Sequence, residues 1–235
     1  MVSKYKVSNS LKFFKDKKLK NFLKNKKKSL GKSKGKIVVR HRGGGNKRSF
    51  ITLNNFSKEN LPFKILKTLR DPNRNTFINL ILSKNGSYSY CKSKYETTPS
   101  NMIYGKHENN ISKGSCLPLK FIPRNIPISD IEINPLKGPI FCKSAGTFGR
   151  IIGKNLKYAL VKLNSGEFRY ININSLAVIG ANSNGSFIKK KKYKAGQNRF
   201  LNKRPKVRGV AMNPIDHPHG GGEGKTSGGR PSVSK

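Results

Sequence analysis

Apolar and polar positions alternate with a period of two over several short stretches in the middle of the chain, a pattern that predicts β structure. Phe63–Leu69 and Thr76–Leu82 are apolar-rich runs on either side of Asp71-Pro72-Asn73, a turn signal. Asn85-Gly86 separates Leu82 from Tyr88–Tyr90 and has the composition of a short hairpin turn. Farther on, Ala159, Val161 and Leu163 share one face of Tyr158–Leu163, with Lys162 on the other. Phe168 and Tyr170 repeat the alternation beyond Asn164-Ser165-Gly166, which predicts a second hairpin, and Leu176–Ile179 closes the set. By the same alternation Tyr88, Tyr90, Tyr158, Phe168 and Tyr170 are expected in barrel cores rather than on base-stacking surfaces.

Short strands with frequent turns suit small barrels, and the fold class is mainly β. Pro118, Pro123 and Pro127 mark a boundary, because proline cannot donate to a central strand ladder. The expected organisation is a basic N-terminal arm over 1–48, one barrel over 49–125, a second over 126–187 and a basic Gly/Pro-rich extension over 188–235. Each barrel would be marginal alone and in need of support. The extension has one helical candidate, Phe187–Ala195, in which Lys189–Lys192 leave no apolar stripe. Beyond it, glycine and proline are expected to forbid regular structure.

Charge changes the picture most. Among 235 residues, Lys and Arg number 50 against 10 Asp and Glu, a formal net charge of +40. Self-repulsion on that scale calls for a polyanionic partner and argues against a free metabolic enzyme. The excess sits at the ends: residues 1–48 carry 18 basic side chains against Asp16 alone, and residues 187–235 carry 13 against Asp216 and Glu223. The middle is the foldable part. No apolar run approaches a membrane span, so no membrane partner is expected. The N-terminus has no secretory signal and, lacking arginine before Arg40, makes a poor mitochondrial presequence. Cys91, Cys116 and Cys142 form no C-x-x-C pair and are expected to be small reduced thiols.

Two segments carry the candidate chemistry. In Gly31–Arg48, Gly43, Gly44 and Gly45 remove three side chains in a row, so that backbone can approach another surface closely. Arg40, Arg42, Lys47 and Arg48 surround that bare backbone with groups suited to phosphate contacts. A flexible hinge in a solvated basic tail would have the same composition. In Arg204–Ser234, Gly220, Gly221, Gly222 and Gly224 mix with Arg204, Lys206, Arg208, Lys225 and Arg230, while Pro214 and Pro218 hold Asp216 and His217 at a defined place. Such a stretch cannot bury enough apolar surface to fold alone, so its order is expected from a partner.

RGVAMNPIDHPHGGGEGK, Arg208–Lys225, resembles almost residue for residue the signature of the ribosomal large-subunit protein two family. RHRGGGNK, Arg40–Lys47, resembles that family's N-terminal signature, with Asn46 where His is common. Asp71-Pro72-Asn73-Arg74, Arg124-Asn125-Ile126-Pro127 and Ser144-Ala145-Gly146-Thr147 are similar to its intermediate landmarks, in the right order. The resemblance implies an OB-fold barrel followed by an SH3-like barrel, with long extensions that penetrate ribosomal RNA. It also implies binding to large-subunit rRNA near the peptidyl-transferase centre, contacts with other ribosomal proteins, and support of association with the small subunit. The chain departs from the family in its lysine-rich residues 1–30 and in stopping at Lys235, before the usual Trp-Gly segment. The ending GGRPSVS is similar to mitochondrial members, and 25 Asn with a Lys and Ile excess suit an AT-rich genome. A mitochondrial ribosome is therefore the expected setting, with a bacterial cytoplasm or another organelle as alternatives.

The expected RNA-binding residues are Arg40, His41, Arg42, Gly43, Gly44, Gly45, Lys47, Arg48, Arg74, Arg204, Lys206, Arg208, Asn213, Asp216, His217, His219, Gly220, Gly221, Gly222, Lys225 and Arg230. His217-Pro218-His219 beside Asp216 and Glu223 invites a metal or catalytic reading. Zinc needs a convergent tetrahedral set, however, and only His41 and His107 remain as further histidines. Asp216 and His217 are read as positioning groups, with no cofactor, no metal, no small-molecule substrate and no enzymatic activity expected. A free basic nucleic-acid-binding protein, or an RNA-processing enzyme using Asp216, His217 and Glu223, is the competing class.

Overall fold

The computed structural model of the chain describes residues 23–25, 31–54, 61–105, 111–224 and 231. They fall into two compact units, one built mainly from 48–191 and the other from 31–47 with 192–224 and 231. The structure is mainly β, as the alternation predicts.

The first strands are short: β1 (Leu23–Asn25), β2 (Lys32–Ser33), β3 (Lys36–Ile37) and β4 (Ser49–Ile51). A four-stranded antiparallel sheet follows, from β5 (Pro62–Arg70), β6 (Phe77–Ser83), β7 (Tyr88–Lys92) and β8 (Met102–Tyr104), in the order β7-β6-β5-β8. Next come β9 (Cys116–Pro118), β10 (Pro127–Ser129) and a small pair, β11 (Ile131–Glu132) with β12 (Pro139–Phe141). The chain then forms β13 (Gly149–Lys154), β14 (Tyr158–Lys162), β15 (Phe168–Asn172) and β16 (Leu176–Ile179). The second sheet runs β15-β14-β13-β10-β16-β9.

Turn chemistry accounts for the hairpins. Between β5 and β6 the buried Asp71 carboxylate accepts the Asn73 N–H at 2.8 Å, an Asx turn, and also pairs with Arg74. Asn73 Nδ2 and Arg74 Nη1 donate to the carbonyls of Ser49 and Ile51, at 2.6 and 3.1 Å, which ties this turn to β4. Between β14 and β15, Leu163 N–H donates to Glu167 O at 2.9 Å across Asn164-Ser165-Gly166, with Gly166 at φ +92°. That is the left-handed position a three-residue hairpin loop assigns to glycine.

β16 is buried on both faces, and strand alternation sends its residues into different cores. Leu176 and Val178, with Cys116 of β9, pack against Phe63, Ile65, Ile81, Cys91 and Ile103 of the first sheet. Ala177 and Ile179, with Leu117, pack against Ile128, Ile151, Val161 and Ile171 of the second. β9 precedes the proline-marked boundary in sequence yet pairs with β16 in the second sheet. Pro127 is tolerated in the inner strand β10 because it is that strand's first residue.

Two expectations are corrected. Tyr158, Phe168 and Tyr170 are exposed, not core residues, because Ala159, Val161 and Ile171 occupy the inward positions of β14 and β15. Tyr88 is also at the surface, and of the five aromatics only Tyr90 is buried; burial pushes its phenol up to about 12. The helical candidate Phe187–Ala195 forms no α-helix. A 3-10 turn covers Gly185–Lys189 and a short helix, α1, covers Gly196–Phe200; another 3-10 turn at Gly209–Ala211 lies where no regular structure is expected. The lysine run gives no apolar face to dock, so the helical turns form on either side of it.

Burial also pushes the Cys91 thiol up to about 12 and raises that of the half-buried Cys142, while Cys116 is buried in the shared core. Thiolate is the reactive form. Iodoacetamide at neutral pH is therefore expected to modify the native protein slowly, Cys142 first, and all three cysteines once it is unfolded. Rapid labelling of Cys91 in the native protein would contradict this packing.

Candidate nucleic-acid interface

The second unit brings the two glycine- and arginine-rich segments together, although more than 150 residues separate them in sequence. Residues 31–39 turn back on themselves, with Val38 and Val39 N–H both donating to Gly31 O at 2.8 and 2.9 Å. The chain then runs irregularly alongside 199–205. Gly43 N–H donates to Asn202 O at 3.3 Å, Asn46 N–H to Phe200 O at 3.2 Å, and Arg204 N–H to His41 O at 3.0 Å. Arg42 and Lys203 form an antiparallel bridge. Asn202 Oδ1 accepts the Gly45 N–H at 3.3 Å. His41 Nδ1 lies 2.9 Å from Pro205 O; a carbonyl only accepts, so the ring carries its proton at Nδ1.

This pairing explains the glycines. A Cβ on Gly45 would stand 2.8 Å from the Asn202 backbone nitrogen, and Gly44, at φ +69°, occupies the left-handed region. The bare backbone is thus approached by the chain's own C-terminal segment. Charged heads remain outside: Arg40, Arg42, Lys47, Arg204, Lys206 and Arg208 are exposed, and none takes part in an ion pair among the described residues. Among the described residues, none of the hydrophobic clusters draws on this unit, and hydrogen bonds, mostly between backbone groups, join its two segments.

Residues 208–222 fold into a closed loop. Asn213 O accepts from Asp216 and His217 N–H at 2.9 and 3.3 Å, Gly220 N–H donates to His217 O at 2.9 Å, and Gly221 N–H donates to Met212 O at 3.2 Å. The Asn213 carbonyl fills the space a Cβ on Gly220 would need, and the Pro214 ring lies 2.5 Å from that of Gly221, whose φ is +87°. The His217 ring sits on Gly209 in the same way. His219 N–H donates to His217 Nδ1 at 3.0 Å, which leaves the His217 proton on Nε2. His219 Nε2 donates in turn to Pro231 O at 3.0 Å, and the two rings meet edge-on at 5.1 Å. With Nδ1 engaged as an acceptor, His217 presents Nε2 as its donor. Among the described residues no group of His, Cys, Asp and Glu is arranged to hold a metal ion.

The remaining sequence-identified residues stand elsewhere. Arg74 belongs to the first unit, bonded to Asp71 and Ile51 with its guanidinium 5.0 Å from the centre of the Phe50 ring. Arg48 donates to Pro72 O at 3.1 Å beside it. Both are partly buried and brace the β4–β5–β6 corner. Asn213, Asp216 and Gly222 are exposed on the closed loop, whereas Lys225 and Arg230 lie outside the described residues. Sequence reasoning misses Asn202, which holds the first glycine segment, and Gly209, which seats His217. Gly209 stands inside the signature Arg208–Lys225, which is its sequence signal; Asn202 has none.

The RNA-binding N-terminal domain of Ribosomal Proteins L2 matches residues 19–105, and the C-terminal domain of Ribosomal Proteins L2 matches residues 112–235. The large ribosomal subunit protein uL2 of Hyphomonas neptunium is 43% identical over 203 residues, covering 86% of this chain and 74% of the relative. That of Rickettsia felis is 42% identical over 219 residues, covering 92% and 80%, and that of Parvibaculum lavamentivorans 40% over 224, covering 94% and 80%. With two successive domain models matched and relatives of this identity aligned over most of their length, the chain belongs to the ribosomal protein L2 family.

Proposed function

We propose that this protein is a structural constituent of the large ribosomal subunit, binding its rRNA beside the peptidyl-transferase centre and supporting assembly and association with the small subunit. The observation that carries the reading is the second unit, where two distant glycine–arginine segments converge and expose six cations that no carboxylate neutralises among the described residues. A polyanion supplies the missing charge. The interface comprises Arg40–Gly45, Lys47, Arg204, Lys206 and Arg208, with the Asn213–Gly222 loop presenting His217 Nε2; Lys225 and Arg230 extend it in sequence. Arg48 and Arg74 act through the corner they brace. The protein is not an enzyme: its relatives are named as ribosomal proteins, and His217 serves as a positioning donor. Its other partners are neighbouring ribosomal proteins. The ending GGRPSVS and the Asn-rich composition favour a mitochondrial ribosome, whereas the relatives compared are bacterial, so a bacterial cytoplasm is the competing setting.

Phosphate-dominated binding has a salt signature. Each neutralised phosphate contributes a slope of about −0.9 in log affinity against log salt on duplex, so six to ten contacts imply a fall of about 10³–10⁵ between 50 and 200 mM. Filter binding of the full chain to a large-subunit rRNA fragment is expected to show this, with Arg42→Gln/Arg204→Gln lowering the slope by about two. An affinity that barely changed over that range would contradict the reading.

A further inference from the structure

We propose that the outward face of β14 and β15 is a stacking platform for unpaired RNA bases, with the Phe168 and Tyr170 rings as its surfaces and Lys162 and Arg150 as flanking phosphate contacts. This rests on the RNA-binding function above and adds to it a base-contacting site on the second sheet.

Register defines the face. Lys162 lies opposite Phe168, Leu160 opposite Tyr170 and Tyr158 opposite Asn172, so these side chains project to one side while Ala159, Val161 and Ile171 project into the core. Arg150 of β13 stands opposite Lys162 and continues the row. Tyr158 is 51% exposed, Phe168 54% and Tyr170 70%. A folding argument alone would bury such rings. Among the described residues β15 is the edge strand of its sheet, so the strand edge beside these exposed rings is open to a partner.

Charge selects the occupant. The Lys162 ammonium lies 5.6 Å from the centre of the Phe168 ring, and the Arg150 guanidinium 5.4 Å from that of Phe148. The nearby acid on this hairpin, Glu167, is already paired with Arg169 at 2.7 Å. A hydrophobic protein surface docking here would bury Lys162 and Arg150 without counter-charge, at a desolvation cost. Single-stranded RNA meets both demands, bases on the rings and phosphates on the cations. Aromatic residues interleaved with basic ones are the recurring construction of such surfaces.

The chain contains no tryptophan, so Phe168→Trp gives full-length protein a single indole reporter at the site. Titration at elevated salt with a short single-stranded oligoadenylate should quench that fluorescence, and an abasic strand of the same length should not. Phe168→Ala/Tyr170→Ala should lower affinity for the base-bearing strand by about five- to 150-fold per stack lost. Phe168→Tyr should restore it, and affinity for the abasic strand should be unchanged in every variant. Unquenched indole fluorescence, or equal affinities for base-bearing and abasic strands, would overturn the stacking site. If the double variant bound both strands normally but lost a neighbouring ribosomal protein from assembled subunits, the face would be a protein-docking surface and the proposal would also fall. In these cases salt-dependent binding to rRNA persists; only loss of that binding in the unaltered protein would remove the RNA-binding function itself.

Discussion

Asp130→Ala is expected to destabilise the first unit by about 3–5 kcal/mol, the range for removing one partner of a buried ion pair. The Lys94 side chain is 2% exposed, and its ammonium lies 2.5 Å from Asp130 Oδ2 and 2.8 Å from Asn182 Oδ1. The Lys92 ammonium bonds the other carboxylate oxygen. Lys92 and Lys94 come from the end of the first sheet, Asp130 from the connection after β10, and Asn182 from beyond β16, so the carboxylate joins both sheets. Without it, the buried Lys94 ammonium and the partly buried Lys92 ammonium face each other, and among the described residues Asn182 is left as the side-chain acceptor for Lys94. Burial alone would raise the Asp130 pKa, but Lys94 and Lys92 more than offset this and hold it below the ordinary carboxylate value. A folded-state pKa below the unfolded one contributes stability above about pH 4, lost as pH falls through the depressed value. Urea unfolding followed by circular dichroism should show the full deficit of the variant at pH 7 and a smaller one at pH 3. A deficit under about 1 kcal/mol at pH 7 would mean that the clasp is solvated rather than buried.

Gly220→Ala is expected to have the larger functional effect. Its Cβ would fall on the carbonyl oxygen and carbon of Asn213 and the carbonyl oxygen of Met212, all backbone atoms with no side-chain freedom to yield. The loop must open, releasing the hydrogen bonds of Gly220 to His217 and Gly221 to Met212 and, with them, the placement of His217. Incorporation into large subunits, in competition with the unaltered protein, should fall at least about tenfold, which corresponds to about 1.4 kcal/mol. Gly221→Val should do the same, because its branched side chain meets the Pro214 ring at a positive φ. Gly196→Ala, in the same unit and with open space at its Cβ, should incorporate normally. The first unit should unfold at unchanged urea concentration in all three variants. Normal incorporation of Gly220→Ala would show that the closed loop is not what the ribosome recognises.

Legibility in the sequence followed the range of the interactions. β5, β6, β7, β14, β15 and β16 were readable because alternation and turn residues act over a few positions. β9, β10 and β13 were not, since they carry proline or two glycines and take their place from distant partners. The direction of β15 was misread for a related reason. Phe168 and Tyr170 are its most apolar residues apart from Ile171, and only the cross-strand register with Ala159 and Val161 reveals that Ile171 faces inward. The Lys92–Asp130–Lys94 clasp spans more than 35 residues and has no local signal. At the interface, the cationic residues of the two signature segments were readable from composition and motif, but the role of the glycines was not. Their bare backbone was expected to meet another surface, and in the folded unit Gly45 meets Asn202 while Gly220 meets Asn213.

The central claim is that this chain works as part of a large ribosomal subunit. Sucrose-gradient fractionation of ribosomes from the source organism, with mass spectrometry of each fraction, tests it most directly. The protein should be recovered with large-subunit rRNA, in free large subunits and in whole ribosomes, at a level equal to other large-subunit proteins. Recovery chiefly in the light fractions, or with small subunits alone, would contradict it.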